Sequence, residues 1–189
     1  TLTYNKHSDM RYGENPHQNA AAFKIPGDKS NGILNAKIHQ GKKLSYNNIM
    51  DADAALSCLK EFKSTACVIV KHANPCGVSL GTNMLDVYKR AFAADSISAF
   101  GGIIAINQPC DDILAEEISK VFVEIVLAPA FTKKSLDIFS KKKNLRVLEV
   151  GNIEKRDQLL EVRNIVGGVI VQETDVSILS KSELKTVTD

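Results

Sequence analysis

Apolar residues recur at helical spacing in four stretches after residue 46. The first predicts an amphipathic helix that opens with Asn47 or Asn48 as its cap and carries Asp51 and Asp53 in its first turn. The same spacing predicts three further helices: one over residues 83–93, one opened by Asp111 and Asp112, and one over 132–141. Each of them has one face to bury.

Short unbroken apolar runs lie between these helices and are typical of buried strands. Five such strands are predicted: 66–70, 101–107, 124–128, 145–150 and 166–172. Strands that alternate with helices favour a layered α/β fold with a mixed or mostly parallel sheet. We expect this part of the chain to form one domain.

The first 45 residues have a different character. Proline and glycine interrupt them, and helical periodicity does not persist beyond a turn. Short strands are predicted only near residues 20–24 and near Ile38. We therefore divide the chain into an irregular segment, 1–45, and a layered α/β part, 46–189.

Charge and composition narrow the class of protein. Lys and Arg number 24 against 22 Asp and Glu, so the net charge of +2 gives no field for binding nucleic acid or an anionic membrane. No apolar run approaches the roughly 20 residues of a spanning helix. The N-terminus lacks both a signal-peptide pattern and an initiator Met, so we expect a soluble segment excised from a longer protein.

The four cysteines indicate a reduced, intracellular protein. Their spacings contain no C-x-x-C pair and fit no zinc template, so we predict no metal site. Cys67 lies within an apolar run, where a small buried thiol is the ordinary explanation.

The densest polar cluster follows the predicted strand 66–70. Lys71 and His72 stand together there, and Asn74-Pro75 is expected to form the turn that ends the strand. Histidine moves protons near neutral pH, and a neighbouring lysine can stabilise developing negative charge. An exposed lysine beside a structural histidine explains the pattern equally well.

Three weaker candidates lie elsewhere along the chain. Arg11, beside Tyr12, offers a planar fork for phosphate or carboxylate, although a stray surface arginine is the simpler reading. Phe100 and Gly101 could form a stacking face with close backbone approach, or Phe100 could pack in the core. Glu124 opens an apolar strand, where an unpaired buried carboxylate would be costly.

These clusters lie within motifs that resemble the AICAR transformylase family, the formyl-transferring part of bifunctional purine biosynthesis enzymes. Six motifs carry the resemblance, in the family's order: R-Y-G-E-N-P-H-Q at 11–18, K-L-S-Y-N-N at 43–48, V-K-H-A-N-P-C-G at 70–77, S-A-F-G-G at 98–102, V-E-I-V-L-A-P at 123–129 and R-x-x-x-G-G at 163–168. They span nearly the whole chain.

The resemblance implies a cytidine-deaminase-like α/β/α fold without zinc and formyl transfer from 10-formyltetrahydrofolate to AICAR. By resemblance, Lys71 and His72 are catalytic. The resemblance also implies that substrate is bound by Arg11, Tyr12, Asn74, Phe100, Gly101 and Glu124. Arg11 would bind the phosphate from a nucleotide-binding loop within residues 1–45.

The family also implies a cytoplasmic homodimer whose longer chain carries an IMP cyclohydrolase domain. This chain corresponds to the first half of the transformylase region, so we expect it to be inactive, or nearly so, alone. The alternative reading is a non-catalytic nucleotide-binding or dimerisation module that reuses the fold.

Overall fold

The structure, a computed structural model, describes residues 2–153, 160–177 and 181–187. It contains two compact units, Thr1–Glu154 and Lys155–Asp189. The strands of the first unit are β1 (Asn5–Met10), β2 (Ala20–Lys24), β3 (Lys37–Gln40), β4 (Thr65–Lys71), β5 (Asn74–Gly81), β6 (Ile103–Ile106), β7 (Ile125–Ala128) and β8 (Arg146–Glu149). Its helices are α1 (Tyr46–Leu59), α2 (Met84–Ala94), α3 (Ser96–Ala99), α4 (Asp112–Ile118) and α5 (Lys133–Phe139), and a 3-10 turn covers Ile33–Asn35.

Six strands form one mixed sheet in the order β3-β8-β7-β6-β4-β5. The neighbours β6, β7 and β8 are parallel, whereas β3 pairs antiparallel with β8, β4 with β6, and β5 with β4. Four strands therefore run in one direction, and β3 and β4 run in the other. This confirms the predicted α/β class with its mixed sheet.

Helices cover both faces of this sheet, and the period-2 alternation of the strands supplies a core to each. Along β4, Cys67 and Ile69 face α2 and α4, whereas Ala66, Val68 and Val70 face α1. All five side chains are fully buried. The result is the expected three-layer arrangement, in which α1 covers one side of the sheet and α2 to α5 lie on the other. A closer kinship with cytidine deaminases stays a prediction.

The helix α1 begins earlier than the sequence pattern predicts. Ser45, rather than Asn47 or Asn48, is the cap: its Oγ accepts the Asn48 N–H at 3.2 Å, and Asn48 Oδ1 accepts the Ser45 N–H at 3.2 Å. Two reciprocal bonds satisfy more of the free N–H groups at the helix start than a single asparagine would. Asp51 consequently lies beyond the first turn.

The other helix starts follow the sequence. Asn83 caps α2, Asp111 caps α4, and Thr132 caps α5, each through a side-chain oxygen that accepts a backbone N–H.

Within residues 1–45, β2 and β3 confirm the two short predicted strands, and β1 is an addition that pairs antiparallel with β2. The boundary proposed at residue 45 stays a prediction.

The second unit contains one hairpin and a short 3-10 turn among its described residues. β9 (Leu160–Ile165) pairs antiparallel with β10 (Gly168–Glu173), and the 3-10 turn covers Lys181–Glu183. The single strand predicted over 166–172 is wrong at its start, because Gly167, with φ of 82°, makes the turn between the two strands. None of the helices in the described residues is long and apolar enough to cross a membrane.

Gly77 allows α2 to pack closely on β5. A Cβ at this buried position would lie 2.1 Å from the Ala91 carbonyl oxygen, and backbone atoms cannot move away cheaply. We expect Gly77→Ala to lower the free energy of unfolding by about 1–3 kcal/mol, measured by urea denaturation. Gly32→Ala is the matched control, because φ there is −100° and the added Cβ meets only Ser30 Oγ, at 3.4 Å. Equal stability of the two variants would contradict this packing.

Two cysteines should resist alkylation while the protein is folded. Burial raises the pKa of Cys110 to about 12 and raises the pKa of Cys67 even further above its ordinary value of 9.0. A higher pKa leaves less thiolate at pH 8, and the thiolate is the reactive form. Mass spectrometry after iodoacetamide treatment at pH 8 should find both thiols unmodified until urea unfolds the chain. Rapid labelling of either in the folded state would contradict their burial.

Candidate active site

The Lys71–His72 pair lies at the tip of the β4–β5 hairpin. Lys71 pairs with Asn74, so the turn has only two residues, His72 and Ala73. Their φ values of 53° and 58° are left-handed, which is uncommon for residues with a Cβ. The turn predicted at Asn74-Pro75 is therefore wrong by two residues, because these residues already open β5. Proline is tolerated there since β5 is an edge strand.

Two hydrogen bonds fix this turn. Asp51 Oδ1, on α1, accepts the Ala73 N–H at 2.7 Å, and the Asn74 side-chain amide donates to the His72 carbonyl oxygen at 2.8 Å. The His72 side chain itself is exposed. The backbone of the turn is thus held on both sides while the imidazole remains accessible to a ligand.

Lys71 is anchored against the segment that precedes β6. Its Nζ donates to the Phe100 carbonyl oxygen at 2.6 Å. Gly101, with φ of 70°, follows directly, and its N–H donates to the Phe122 carbonyl oxygen at 2.9 Å. A Cβ on Gly101 would lie 3.2 Å from the Phe122 ring and 3.9 Å from Lys71 Nζ, so glycine keeps the space beside the lysine open.

Phe100 is a surface residue. Its side chain is 57% exposed, and its ring centroid lies 5.4 Å from that of Phe122. Phe100 therefore does not pack in the core, which was one of its two predicted roles. The other role, an accessible aromatic face beside Lys71, is consistent with this exposure. A flat ligand could stack on such a face.

Glu124 has a basic partner. Its carboxylate accepts a hydrogen bond from Arg146 Nη1 at 2.7 Å, and Arg146 Nε donates to the Lys42 carbonyl oxygen at 3.2 Å. The backbone N–H of Glu124 also donates to Gly102 O at 3.0 Å, next to Gly101. The Glu124 carboxylate, for which the sequence alone shows no partner, is thus paired with Arg146. Any contact between Glu124 and folate stays a prediction.

Arg11 and Tyr12 lie in the loop that joins β1 to β2. The Arg11 guanidinium is exposed and stands 5.7 Å from the centroid of the Tyr12 ring. The loop is closed by the Gly13 N–H, which donates to the Gln18 carbonyl oxygen at 2.7 Å. The exposed fork is thus available to an anion.

The helix α1 connects this loop with the His72 turn. The Asn47 side-chain amide donates to the Glu14 carbonyl oxygen at 3.4 Å, and Asp51 holds the turn. Residues four apart share one helix face, with Cβ atoms roughly 6 Å apart. One turn of α1 therefore contacts both the loop that carries Arg11 and the turn that carries His72. No hydrogen bond or ion pair among the described residues joins Arg11 or Tyr12 directly to Lys71 or His72.

The surroundings of the site contain two further features. Partial burial raises the pKa of the Cys76 thiol, which donates a weak hydrogen bond to Ile69 O at 3.5 Å and is a poor nucleophile at neutral pH. A cavity of about 430 Å³ lies between residues 118–123 and 141–145, so Phe122 forms a wall of both the cavity and the site. The described part of the chain contains no group of three or more His, Cys, Asp or Glu that could hold a metal ion.

Three residues of this site receive no site role from the sequence alone: Asp51, Phe122 and Arg146. Asp51 was expected in the first turn of a helix, where an acidic residue has an ordinary electrostatic explanation. Arg146 opens β8 and becomes a neighbour of Glu124 only through the β7–β8 register. Arg163, from the last family motif, lies on β9 in the second unit, where it pairs with Ile170.

Curated proteins are similar to this chain over nearly its whole length. A chain named bifunctional purine biosynthesis protein PurH from Leuconostoc citreum (strain KM20) is 50% identical over 187 residues, which cover 99% of this chain and 37% of that protein. The protein of the same name from Bacillus cereus (strain B4264) is 48% identical over 189 residues, covering 100% of this chain and 37% of the relative.

The chain thus spans little more than a third of the length of these relatives. A sequence model of the family described as the AICARFT/IMPCHase bienzyme matches residues 1–189, the whole of the chain. The chain belongs to the AICARFT/IMPCHase bienzyme family.

Proposed function

We propose that this chain supplies the Lys-His part of an AICAR formyltransferase site, and thereby serves purine biosynthesis. One observation carries the proposal: a single face of α1 attaches both the Arg11 loop and the His72 turn, with Lys71 and Phe100 alongside. An anion-binding fork, a proton-transfer group, a cation and an aromatic face then border one region, which suits a phosphorylated heteroaromatic amine.

The proposed reaction transfers a formyl group from 10-formyltetrahydrofolate to the 5-amino group of AICAR. The amine nitrogen attacks the formyl carbon, and a tetrahedral intermediate with a negative oxygen forms. The bond from that carbon to N10 of the folate then breaks. The amine loses one proton and the folate nitrogen gains one, so the step needs no external oxidant or reductant.

His72 is assigned the proton transfer in this scheme. Its side chain is exposed at the hairpin tip, while its backbone is held by the Asn74 amide. An imidazole that must accept a proton at one moment and release it at the next needs an accessible ring on a fixed backbone.

Lys71 is assigned the stabilisation of the intermediate's oxygen, or proton donation to the leaving nitrogen. Its ammonium group is already oriented by the Phe100 carbonyl, so little reorganisation is required when negative charge develops. The open space above Gly101 beside this ammonium supports the same assignment.

The remaining assignments concern binding. Arg11 takes the phosphate of AICAR, Tyr12 and Asn74 contribute to the nucleotide side, and Phe100 with Gly101 forms a wall against which substrate and folate are held. Glu124 is proposed near the folate, where Arg146 fixes the orientation of its carboxylate.

Several properties of the longer family protein stay proposals for this chain. They include IMP cyclohydrolase activity elsewhere in the protein, a cytoplasmic location and homodimerisation. We propose that the isolated 189 residues transfer formyl groups weakly or not at all, since they span 37% of the relatives' length. A chimera tests the assignments, with this chain replacing the matched segment of the Leuconostoc citreum protein.

In this chimera, His72→Ala should lower kcat for formyl transfer by about 10²-fold to 10⁴-fold, because proton transfer is lost. The KM for AICAR should change by only a few-fold, since the imidazole is not the principal binding group. Turnover is measured with AICAR and 10-formyltetrahydrofolate.

The exposed His7 on β1 provides the matched control, and His7→Ala should leave both constants unchanged. Full activity of the His72→Ala chimera would exclude the proton-transfer role. A wild-type chimera that binds AICAR but never transfers the formyl group would favour the non-catalytic nucleotide-binding module.

Arg11 can be tested on the isolated chain. The wild-type chain should bind AICAR at least tenfold more tightly than the nucleoside that lacks the phosphate, because charged hydrogen bonds to phosphate contribute on about that scale. Arg11→Ala should remove this preference, and Arg11→Lys should restore only part of it, as measured by calorimetry. A preference that survives Arg11→Ala would place the phosphate elsewhere.

A further inference from the structure

The His72 turn adopts a conformation that its own residues disfavour. Two-residue hairpin turns with positive φ at both positions usually contain asparagine, aspartate or glycine. Here the positions are occupied by His72 and Ala73, at φ of 53° and 58°. Such backbone strain persists only where the surroundings enforce it, and it concentrates at functional sites.

The side chain of Asp51, from outside the hairpin, bonds this turn directly. Its carboxylate accepts the Ala73 N–H at 2.7 Å, which is the short distance of a charge-assisted bond. The second bond, from the Asn74 amide to the His72 carbonyl oxygen, lies within the hairpin and moves with it. The strand β4 and the Lys71 side chain hold the base of the hairpin, through pairing with β6 and the bond to the Phe100 carbonyl oxygen, whereas Asp51 bonds the turn itself.

Asp51 stands on a rigid support. The neighbouring Ala52 and Ala55 of α1 are fully buried against the sheet, so the helix cannot shift without opening the core. One turn earlier on the same face, Asn47 holds the Arg11 loop through the Glu14 carbonyl oxygen. The Arg11 loop and the His72 turn therefore contact the same turn of α1.

We propose that Asp51 is a positioning residue, which holds the strained His72 turn at a fixed place relative to the Arg11 loop. In this role Asp51 acts through the backbone of the turn rather than on the reacting atoms. Its consequence for catalysis rests on the proposed formyltransferase function, whereas its hold on the turn does not.

The first experiment measures the turn itself in the isolated chain. Amide exchange followed by NMR should show the Ala73 N–H exchanging on the order of tenfold faster in Asp51→Ala, because a hydrogen bond to a charged acceptor is lost. Asp51→Asn retains a side-chain oxygen acceptor and should show a smaller increase. An unchanged exchange rate in Asp51→Ala would overturn the proposal.

The matched control is Asp111→Ala. Asp111 Oδ1 accepts the Leu114 N–H at 2.8 Å, so this variant removes the same kind of bond from a helix cap away from the turn. Ala73 exchange should match the wild type in this control. An equal increase in both variants would indicate general destabilisation and contradict a specific role of Asp51.

The second experiment uses the chimera described above. Asp51→Ala should lower kcat by about tenfold or more and change the KM for AICAR little, because the imidazole is misplaced while the Arg11 loop is retained. Adding Ala73→Gly should recover part of kcat, since glycine adopts the left-handed conformation without strain. The Asp51→Asn chimera should keep a higher kcat than the Asp51→Ala chimera.

The outcomes separate the two proposals. An inactive wild-type chimera would refute the formyltransferase function, while the exchange data would still decide whether Asp51 holds the turn. An active chimera in which Asp51→Ala raises KM but spares kcat would overturn the positioning role. Failure of Ala73→Gly to recover any activity would also contradict it, because backbone strain would then not be what Asp51 offsets.

Discussion

The site depends on the packing of α1 against the sheet. Ala52 and Ala55 present small side chains to β4 and its neighbours, and both are completely buried, so the helix lies close to the strands. From this helix, Asn47 and Asp51 reach two separate loops on one side. Because protein interiors are close-packed, this helix resists displacement, and two distant stretches of sequence contact the same rigid support.

The direction of β4 determines what else belongs to the site. Because β4 runs antiparallel to β6, its carboxyl end shares an edge with the amino ends of β6, β7 and β8. Lys71 therefore meets Phe100 and Gly101, and the Glu124–Arg146 pair stands along the same edge. The rule that ligands bind at the carboxyl ends of parallel strands would predict a site at the opposite edge of β6, β7 and β8, with different residues.

Much of the fold followed from local patterns. The strand β4 was predictable because both of its faces are buried and its apolar run is unbroken, and α4 because Asp111 and Asp112 open it. The predictions were wrong where two local signals competed. Asn74-Pro75 is a typical turn signal, yet the turn falls on His72 and Ala73, because pairing with β4 and the bond that the Ala73 N–H donates to Asp51 outweigh local propensity.

The sequence by itself determined the layered α/β class, the family and the motifs around Lys71, His72 and Arg11, because these depend on residue order and local periodicity. Tertiary structure alone decided that Glu124 pairs with Arg146 and that Phe100 is exposed. It also decided that Asp51 serves the turn of a distant hairpin. Such contacts join residues more than 20 positions apart, and their geometry is set by strand register and helix packing, which no local pattern encodes.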